Sequence, residues 1–184
     1  EQTVANDLTH RDLKLEPPAE LNGARRNQWL GVKPTEVTVN GEVLTGKELT
    51  RWKYQRYMQD YLACVQGVDD GVGRVLDYLE EQDLAKDTIV IYSADNGWYL
   101  GDLGMYDKRF MYEPGLRVPL IAKGPGIKAG STPSEFVANI DLAPTFLDLA
   151  GLPIPDSMQG RSLAPLLRGE SPDDWRESVY YRYY

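Results

Sequence analysis

The stretch Ile89–Ile121 reads IVIYSADNGWYLGDLGMYDKRFMYEPGLRVPLI and joins two apolar runs through a polar loop. The first run, within DTIVIYSA, is short and β-branched, which predicts a strand buried on both faces. The second, RVPLIAKGPG, predicts another strand that ends at Gly-Pro-Gly. Further along, IDLAPTFLDLAGL predicts a helix with Pro144 near its start and Gly151 as its stop signal. Together with a helix before the first strand, this order predicts an α/β sheet protein.

The region upstream of the first strand predicts a polar loop, a hairpin and one long helix. Residues 1–35 are polar and broken by prolines, whereas TVNGEVL (38–44) places Asn40-Gly41 between β-forming residues, a strong hairpin signal. Apolar side chains then recur at helical spacing at Tyr57, Tyr61, Val65, Val68, Val72, Val75 and Leu79. Three glycines, among them Gly71, either weaken the middle of this helix or allow something to approach it closely.

Composition excludes several classes of protein. With 42% hydrophobic and 26% charged residues among 184, the chain is typical of a soluble globular protein. Its net charge of -8 argues against a nucleic-acid binder, because phosphate contacts need a surface rich in Lys and Arg. No apolar run approaches the roughly 20 residues of a membrane span. The chain starts without Met and stops within WRESVYYRYY, so we expect a piece of a larger protein.

The end of the first strand carries a candidate metal site. Asp95, Asn96 and Gly97 follow IVIYSA, and ligands of open α/β sheets lie beyond the carboxyl ends of strands. Carboxylate and amide oxygens suit Ca²⁺ or Mg²⁺, Gly97 allows a sharp turn, and Lys108 offers an ammonium for an anion. However, Asp-Asn-Gly is also among the commonest turn sequences, and a strand-terminal Asp is usually a cap. The residues alone leave both interpretations open.

The ordered motifs of the chain resemble the sulfatases of the alkaline-phosphatase-like superfamily. The string SADNGWYLGDLGMYDKRFMYEPGLRVPLI is similar to the C-terminal half of their catalytic domain. YLACVQGVDDGVGRVLDYLEEQDLAKDTIVIYSADNG precedes it and VANIDLAPTFLDLAGLPIPDSMQGRSLAPLLRG follows it in the family's order, so the resemblance covers about residues 54–184. It implies an alkaline-phosphatase-like α/β fold with a mostly parallel sheet flanked by helices. It also implies a partial catalytic domain over 1–184, comprising a polar region with a hairpin (1–44), an α/β core (45–170) and the start of a following segment (171–184).

The resemblance also implies roles for individual residues. Asp95 and Asn96 are expected to be ligands of the active-site cation, usually Ca²⁺, and Lys108 is expected to contact the sulfate as a catalytic and substrate-binding group. Glu113 and Arg117 look like the family's structural ion pair. Two further residues, Trp98 and Leu103, concern the substrate. Trp98 either stacks on a sugar or aryl group or simply packs a loop. Leu103 stands where many relatives that act on sulfated sugars carry His, which leaves the fine substrate assignment open.

The family's nucleophile is missing from these residues. It is a formylglycine made from Cys or Ser in a Cys/Ser-x-Pro-x-Arg motif, and Cys64 in ACVQG lacks both the Pro and the Arg. We therefore expect Cys64 to be structural. Ser131–Glu135 (STPSE) has Ser-x-Pro but Glu in place of Arg, and Asp69-Asp70 cannot replace the family's paired Asp ligands, because neighbours on a helix point about 100° apart. His10, the only histidine, is expected to be an exposed loop residue.

By resemblance, the whole protein is expected to be a sulfatase that hydrolyses a sulfate monoester of a sulfated sugar or aryl compound, whereas this chain alone is expected to be inactive. One alternative is a phosphodiesterase or phosphonate monoester hydrolase of the same superfamily, whose sites often read Asp-His-Gly, so that Asn96 favours a sulfatase. Another is a non-catalytic binding or assembly module on this scaffold. The expected partner is a small-molecule or saccharide sulfate ester, with no nucleic acid and no membrane span. The expected location is periplasmic or secreted.

Overall fold

Helices and short strand pairs make up the computed structural model, which describes residues 36–106, 108 and 110–182. The described residues divide into two compact units, one containing 36–75 and 98–106 and the other 76–97, 108 and 110–182. Both sheets of the described chain are two-stranded. None of its helices is long and apolar enough to cross a membrane.

The first sheet is a hairpin. Strand β1 (Glu36–Val39) pairs antiparallel with strand β2 (Glu42–Thr45). Asn40 and Gly41 connect them with φ angles of 51° and 85°. Positive φ at both central residues is what a two-residue type I′ turn requires. The hairpin predicted from the Asn-Gly pair is therefore confirmed.

Helix α1 (Gly46–Glu81) confirms the predicted long helix. It is 36 residues long, and Leu49 and Lys53 near its start are buried. In contrast, every residue from 62 to 70 is exposed, and Val65 and Val68 expose 47% and 50% of their surface. The described residues therefore leave the middle of the predicted apolar face uncovered.

The second sheet contains both strands predicted around the polar loop. Strand β3 (Val90–Ser93) pairs with strand β4 (Leu120–Lys123) in an antiparallel register. Tyr92 and Ile121 are register partners and expose 39% and 62% of their surface, so one face of this pair is open. The described residues thus show neither the mostly parallel sheet nor the burial of β3 on both faces. Two strands alone have no neighbouring element to cover the second face.

The loop between β3 and β4 contains two short helical turns. The first is a 3-10 turn at Asp102–Gly104, and the second is the one-turn helix α2 (Glu113–Leu116), which has Pro in its first turn. This long loop starts at the carboxyl end of β3, where the candidate metal ligands lie.

The C-terminal part of the described chain forms a small core. A 3-10 turn at Asn139–Asp141 leads into helix α3 (Leu142–Leu149), and Gly151 follows the helix with a φ of 69°. This confirms the predicted helix and its glycine stop. Helix α4 (Ala164–Leu167) comes next. The buried side chains of this core are Leu163, Leu166 and Trp175.

Candidate active site

Asp95 and Asn96 lie directly after the carboxyl end of β3, as predicted. Asp95 is exposed, whereas Asn96 is half-buried. Their side chains offer hard oxygen donors, which is the chemistry that Ca²⁺ and Mg²⁺ prefer. Within the described chain, no group of three or more His, Cys, Asp or Glu residues is arranged to hold a metal ion. The pair therefore fits a hard cation in chemistry but provides two of the roughly six to eight ligands that Ca²⁺ takes.

Gly97 attaches this turn to the segment around α2. Its N–H donates to the Gly115 carbonyl oxygen at 3.0 Å. A Cβ at position 97 would lie 2.0 Å from the Pro114 carbonyl oxygen, so only glycine fits without a backbone shift. Gly97 does not adopt a positive φ. The sharp turn expected at Gly97 stays a prediction, whereas the close approach of the Pro114 backbone is what requires glycine at this position.

Asn139 contacts the same turn. Its side-chain Nδ2 donates to the Asp95 carbonyl oxygen at 2.8 Å and to the Ala94 carbonyl oxygen at 3.3 Å. Asn139 is the first residue of the 3-10 turn before α3. The backbone of the candidate metal turn is thus bonded to α2 at Gly97 and to the start of α3 through Asn139.

The 3-10 turn that carries Asn139 is built on the fully buried carboxylate of Asp141. Its Oδ2 accepts from the Ala138 N–H at 2.8 Å, and its Oδ1 accepts from the Arg161 N–H at 2.8 Å. Arg176 completes the arrangement with a bidentate ion pair, Nη1 to Oδ2 at 2.8 Å and Nη2 to Oδ1 at 2.6 Å. Asp141 is 0% exposed. Because both oxygens are paired, the buried charge is compensated.

The loop after the turn has an unusual backbone at Leu103. This residue has a φ of 53° and exposes 63% of its surface. Gly101 and Gly104 on either side have φ angles of 104° and 74°. The Asp102 carboxylate accepts from the Leu100 N–H at 3.0 Å, which closes the loop locally. A leucine in left-handed geometry costs about 1 kcal/mol or more, so the loop holds Leu103 in a strained conformation.

The two aromatic residues after the turn differ in exposure. Tyr99 is fully buried, whereas Trp98 exposes 41% of its surface. The indole N–H of Trp98 donates to the Tyr57 hydroxyl at 2.8 Å, and the Tyr57 ring meets the Tyr106 ring edge-on at 5.5 Å. Burial raises the pKa of Tyr57. Because it is fully buried, Tyr99 packs the loop. For Trp98, both stacking on a substrate and packing of the loop stay open.

Lys108 lies further along the loop with an exposed side chain. Its neighbours Asp107 and Arg109, like His10, lie outside the described residues. Glu113 and Arg117 form the expected ion pair, with Arg117 Nη1 at 3.3 Å from Glu113 Oε1. Both side chains of this pair are more than 70% exposed, at 72% for Glu113 and 81% for Arg117, so the pair adds little stability.

The rejection of Cys64, Asp69-Asp70 and the Ser131–Glu135 segment as site residues stays a prediction, and the structure shows what surrounds them. Cys64 is a free thiol on the exposed part of α1, and Asp70 accepts from the Gln66 side chain at 2.8 Å. The Ser131 hydroxyl donates to a nearby backbone carbonyl at 2.9 Å. A hydrogen bond from the Ser171 hydroxyl lowers the pKa of Glu135 below its ordinary value. These are local contacts of surface structure.

Asn139 and Asp141 were missed by sequence reasoning. ANID before an apolar helix is typical of a helix start, and nothing in its spacing indicates a contact with Asp95, 44 residues earlier. An uncharged amide also lacks the charge pattern that identifies catalytic residues. Only the fold brings the two segments together.

The comparisons with known proteins place this geometry in a family context. A family model described as N-sulphoglucosamine sulphohydrolase, C-terminal, matches residues 101–184. An N-acetylglucosamine-6-O-sulfatase of Bacteroides thetaiotaomicron is 53% identical over 144 residues, which are 77% of this chain and 26% of that protein. The structure of BT4656 in complex with its substrate D-glucosamine-2-N,6-O-disulfate matches with a TM-score of 0.73 and 52% identity, covering 77% of this chain and 29% of the other. The phosphonate monoester hydrolase SpPMH from Silicibacter pomeroyi matches with a TM-score of 0.66 and 38% identity, covering 73% and 26%.

The chain spans between 26% and 29% of the length of these proteins. Identity to the sulfatase of Bacteroides thetaiotaomicron, at 53%, is well above the 38% found for the phosphonate monoester hydrolase. The matching family model describes a C-terminal region. The chain belongs to the sulfatase family and corresponds to the C-terminal part of its members.

Proposed function

We propose that the protein containing this chain is a sulfatase that hydrolyses a sulfate monoester of a sulfated sugar, with a 6-O-sulfated glucosamine as the substrate class. The observation that carries the proposal is the 53% identity to an N-acetylglucosamine-6-O-sulfatase. The position of Asp95 and Asn96 at the end of β3 supports it, because this is where an α/β sheet holds its ligands.

The proposed cation is Ca²⁺, held in part by the carboxylate of Asp95 and the amide oxygen of Asn96. These hard oxygen donors suit Ca²⁺, and the exposure of Asp95 leaves it open to further ligands. When bound, the cation would supply positive charge to the sulfate oxygens and lower the barrier to attack at sulfur. The chain's own contribution is to hold the two donors on a turn that Gly97 and Asn139 attach to its surroundings.

Lys108 is the proposed catalytic group that neutralises the sulfate. Lys108 is an exposed residue, so an anion arriving from solvent can approach this part of the loop. In the proposed reaction Lys108 donates hydrogen bonds to sulfate oxygens, whose charge grows as the ester bond breaks. Trp98 is proposed to offer its partly exposed ring to the sugar.

The nucleophile of the proposed reaction is a formylglycine made from Cys or Ser. The sequence motif that yields it does not occur in these 184 residues, so in this proposal another part of the protein supplies it.

We further propose that β3 belongs to a mostly parallel, alkaline-phosphatase-like sheet completed by that remaining part. The open face at Tyr92 and Ile121 supports this, because it leaves apolar surface for a covering element. A periplasmic or secreted location remains a prediction.

Steady-state kinetics of the whole protein on glucosamine-6-sulfate test the role of Lys108. Lys108→Ala should lower kcat/KM by roughly 10²–10³, the effect of removing one charge-stabilising group. Arg109→Ala is the matched control, since it removes a neighbouring positive charge, and it should lower kcat/KM far less. Equal and small losses in the two variants would mean that Lys108 is ordinary surface charge.

The similarity to a phosphonate monoester hydrolase favours one second candidate function. The same protein should therefore be assayed on an aryl phosphonate monoester and on glucosamine-6-sulfate. A higher kcat/KM on the sulfate ester supports the sulfatase. A clear preference for the phosphonate ester would overturn it in favour of the second candidate.

A further inference from the structure

The backbone around Asp95 is fixed on both of its sides by one side chain. Asn139 Nδ2 donates to the Ala94 carbonyl oxygen, which belongs to the peptide unit before Asp95, at 3.3 Å. It donates to the Asp95 carbonyl oxygen, which belongs to the peptide unit after it, at 2.8 Å. Because each peptide unit is planar, fixing both carbonyls restricts φ and ψ of Asp95. These two angles set the directions of the Asp95 and Asn96 side chains.

Asn139 itself is held by a rigid support. It opens the 3-10 turn that ends at the fully buried Asp141, whose two carboxylate oxygens accept four hydrogen bonds. The Thr145 hydroxyl donates to the Asp141 carbonyl oxygen and accepts from the Leu163 N–H at 2.8 Å, so the turn is also tied to the core. A donor mounted on such a support can restrain an exposed turn, whereas a donor on a mobile loop would move with it.

The hydrogen bonds from Asn139 go to the backbone of the turn. Because the Ala94 and Asp95 carbonyl oxygens accept them, the side-chain oxygens of Asp95 and Asn96 take no part in these contacts. Gly97 restrains the far end of the turn through its bond to the Gly115 carbonyl at 3.0 Å. The turn is thus restrained at both ends without using either candidate ligand side chain.

We infer that Asn139 is a positioning residue that aligns Asp95 and Asn96 for a divalent cation. The inference rests on the proposed function, since it requires that this turn binds the cation. Groups that hold metal ligands from behind typically change metal affinity 10–100-fold when they are removed. Asn139 is exposed, so its removal should lower the Tm by only a few degrees. Loss of affinity with little loss of stability is the signature of this role.

Calorimetric titration of Ca²⁺ alone into the metal-free whole protein tests the inference. Asn139→Ala removes the donor, and Asn139→Leu removes it while keeping the branched shape of the side chain. Both should raise the Kd for Ca²⁺ by roughly 10–100-fold, with the Tm of the metal-free protein lowered by only a few degrees. Gln66→Ala is the matched control, because it removes another exposed carboxamide that donates a 2.8 Å hydrogen bond, and it should leave the Kd unchanged.

The outcomes separate the inference from the proposed function. If Asp95→Ala abolishes Ca²⁺ binding while both Asn139 variants bind like the wild type, the positioning role is wrong and the cation site stands. A lower Tm with an unchanged Kd would reduce Asn139 to a structural residue and equally overturn the inference. If the wild type binds no Ca²⁺, or Asp95→Ala binds it as well as the wild type, the proposed cation site fails together with the inference.

Discussion

Gly97→Ala should destabilise the protein strongly for so small a change. The added Cβ would lie 2.0 Å from the Pro114 carbonyl oxygen and 3.0 Å from the Gly115 carbonyl carbon. Both are backbone atoms, and the ring of Pro114 fixes its own φ, so this segment cannot yield as a side-chain tip would. Overpacking of this kind costs about 1–3 kcal/mol. The clash also pushes the two segments apart and weakens the hydrogen bond from the Gly97 N–H to the Gly115 carbonyl oxygen. The loss of this bond costs about 0.5–1.5 kcal/mol more.

The expected total is therefore a loss of about 1.5–4.5 kcal/mol, measured as the free energy of unfolding in urea. Gly71→Ala is the matched control. A Cβ at position 71 meets nothing within 4 Å among the described residues, and the position lies inside α1. Alanine there should stabilise by about 0.5–1 kcal/mol, because it lowers the entropy lost on folding. If Gly97→Ala unfolded within about 0.5 kcal/mol of the wild type, the close approach of Pro114 would be refuted.

Two further predictions concern the C-terminal ion pairs. Asp141→Ala should cost about 3–5 kcal/mol in urea unfolding, because it leaves Arg176, with 20% of its side chain exposed, without its counter-charge; a loss below about 1 kcal/mol would contradict this. The hydrogen bond from Arg161 lowers the pKa of Asp174 below its ordinary value. The ionised Asp174 therefore stabilises the folded protein at any pH above the ordinary carboxyl pKa, and this stabilisation is lost as the pH falls through the lowered pKa of the folded state. The stability difference between wild type and Asp174→Asn should therefore vanish on acidification, and a difference independent of pH would contradict the assignment.

Local signals in the sequence predicted most of the elements. The Asn40-Gly41 pair is sufficient for its hairpin because the turn geometry depends on those two residues. The helix at 46–81 follows from the spacing of its apolar residues, and the stop at Gly151 from the left-handed φ that glycine adopts easily. Each of these features depends on residues close together in the chain.

Features that depend on distant contacts were not predictable in the same way. The long loop between β3 and β4 sets the direction of β4 relative to β3. The apolar pattern of a strand is the same for parallel and antiparallel pairing, so the sequence does not indicate the antiparallel register. Asp95 and Asn96 were selected as candidates from their place after a strand, whereas the close approach of Pro114 to Gly97 was missed because Pro114 is distant in sequence. Asn139 was not identified at all, since a single amide carries no signal of a contact across the fold.

The Asp141–Arg176 pair also constrains the order in which this part of the chain folds. The two residues are 35 positions apart, so the ribosome adds Asp141 first and its counter-charge much later. Until Arg176 emerges, burial of the carboxylate would leave an uncompensated charge, which costs several kcal/mol. Trp175, a member of the same core, emerges one residue before Arg176. During synthesis, packing around helices α3 and α4 therefore cannot be completed before position 176 leaves the exit tunnel, and a chaperone would meet this region as an open segment until then.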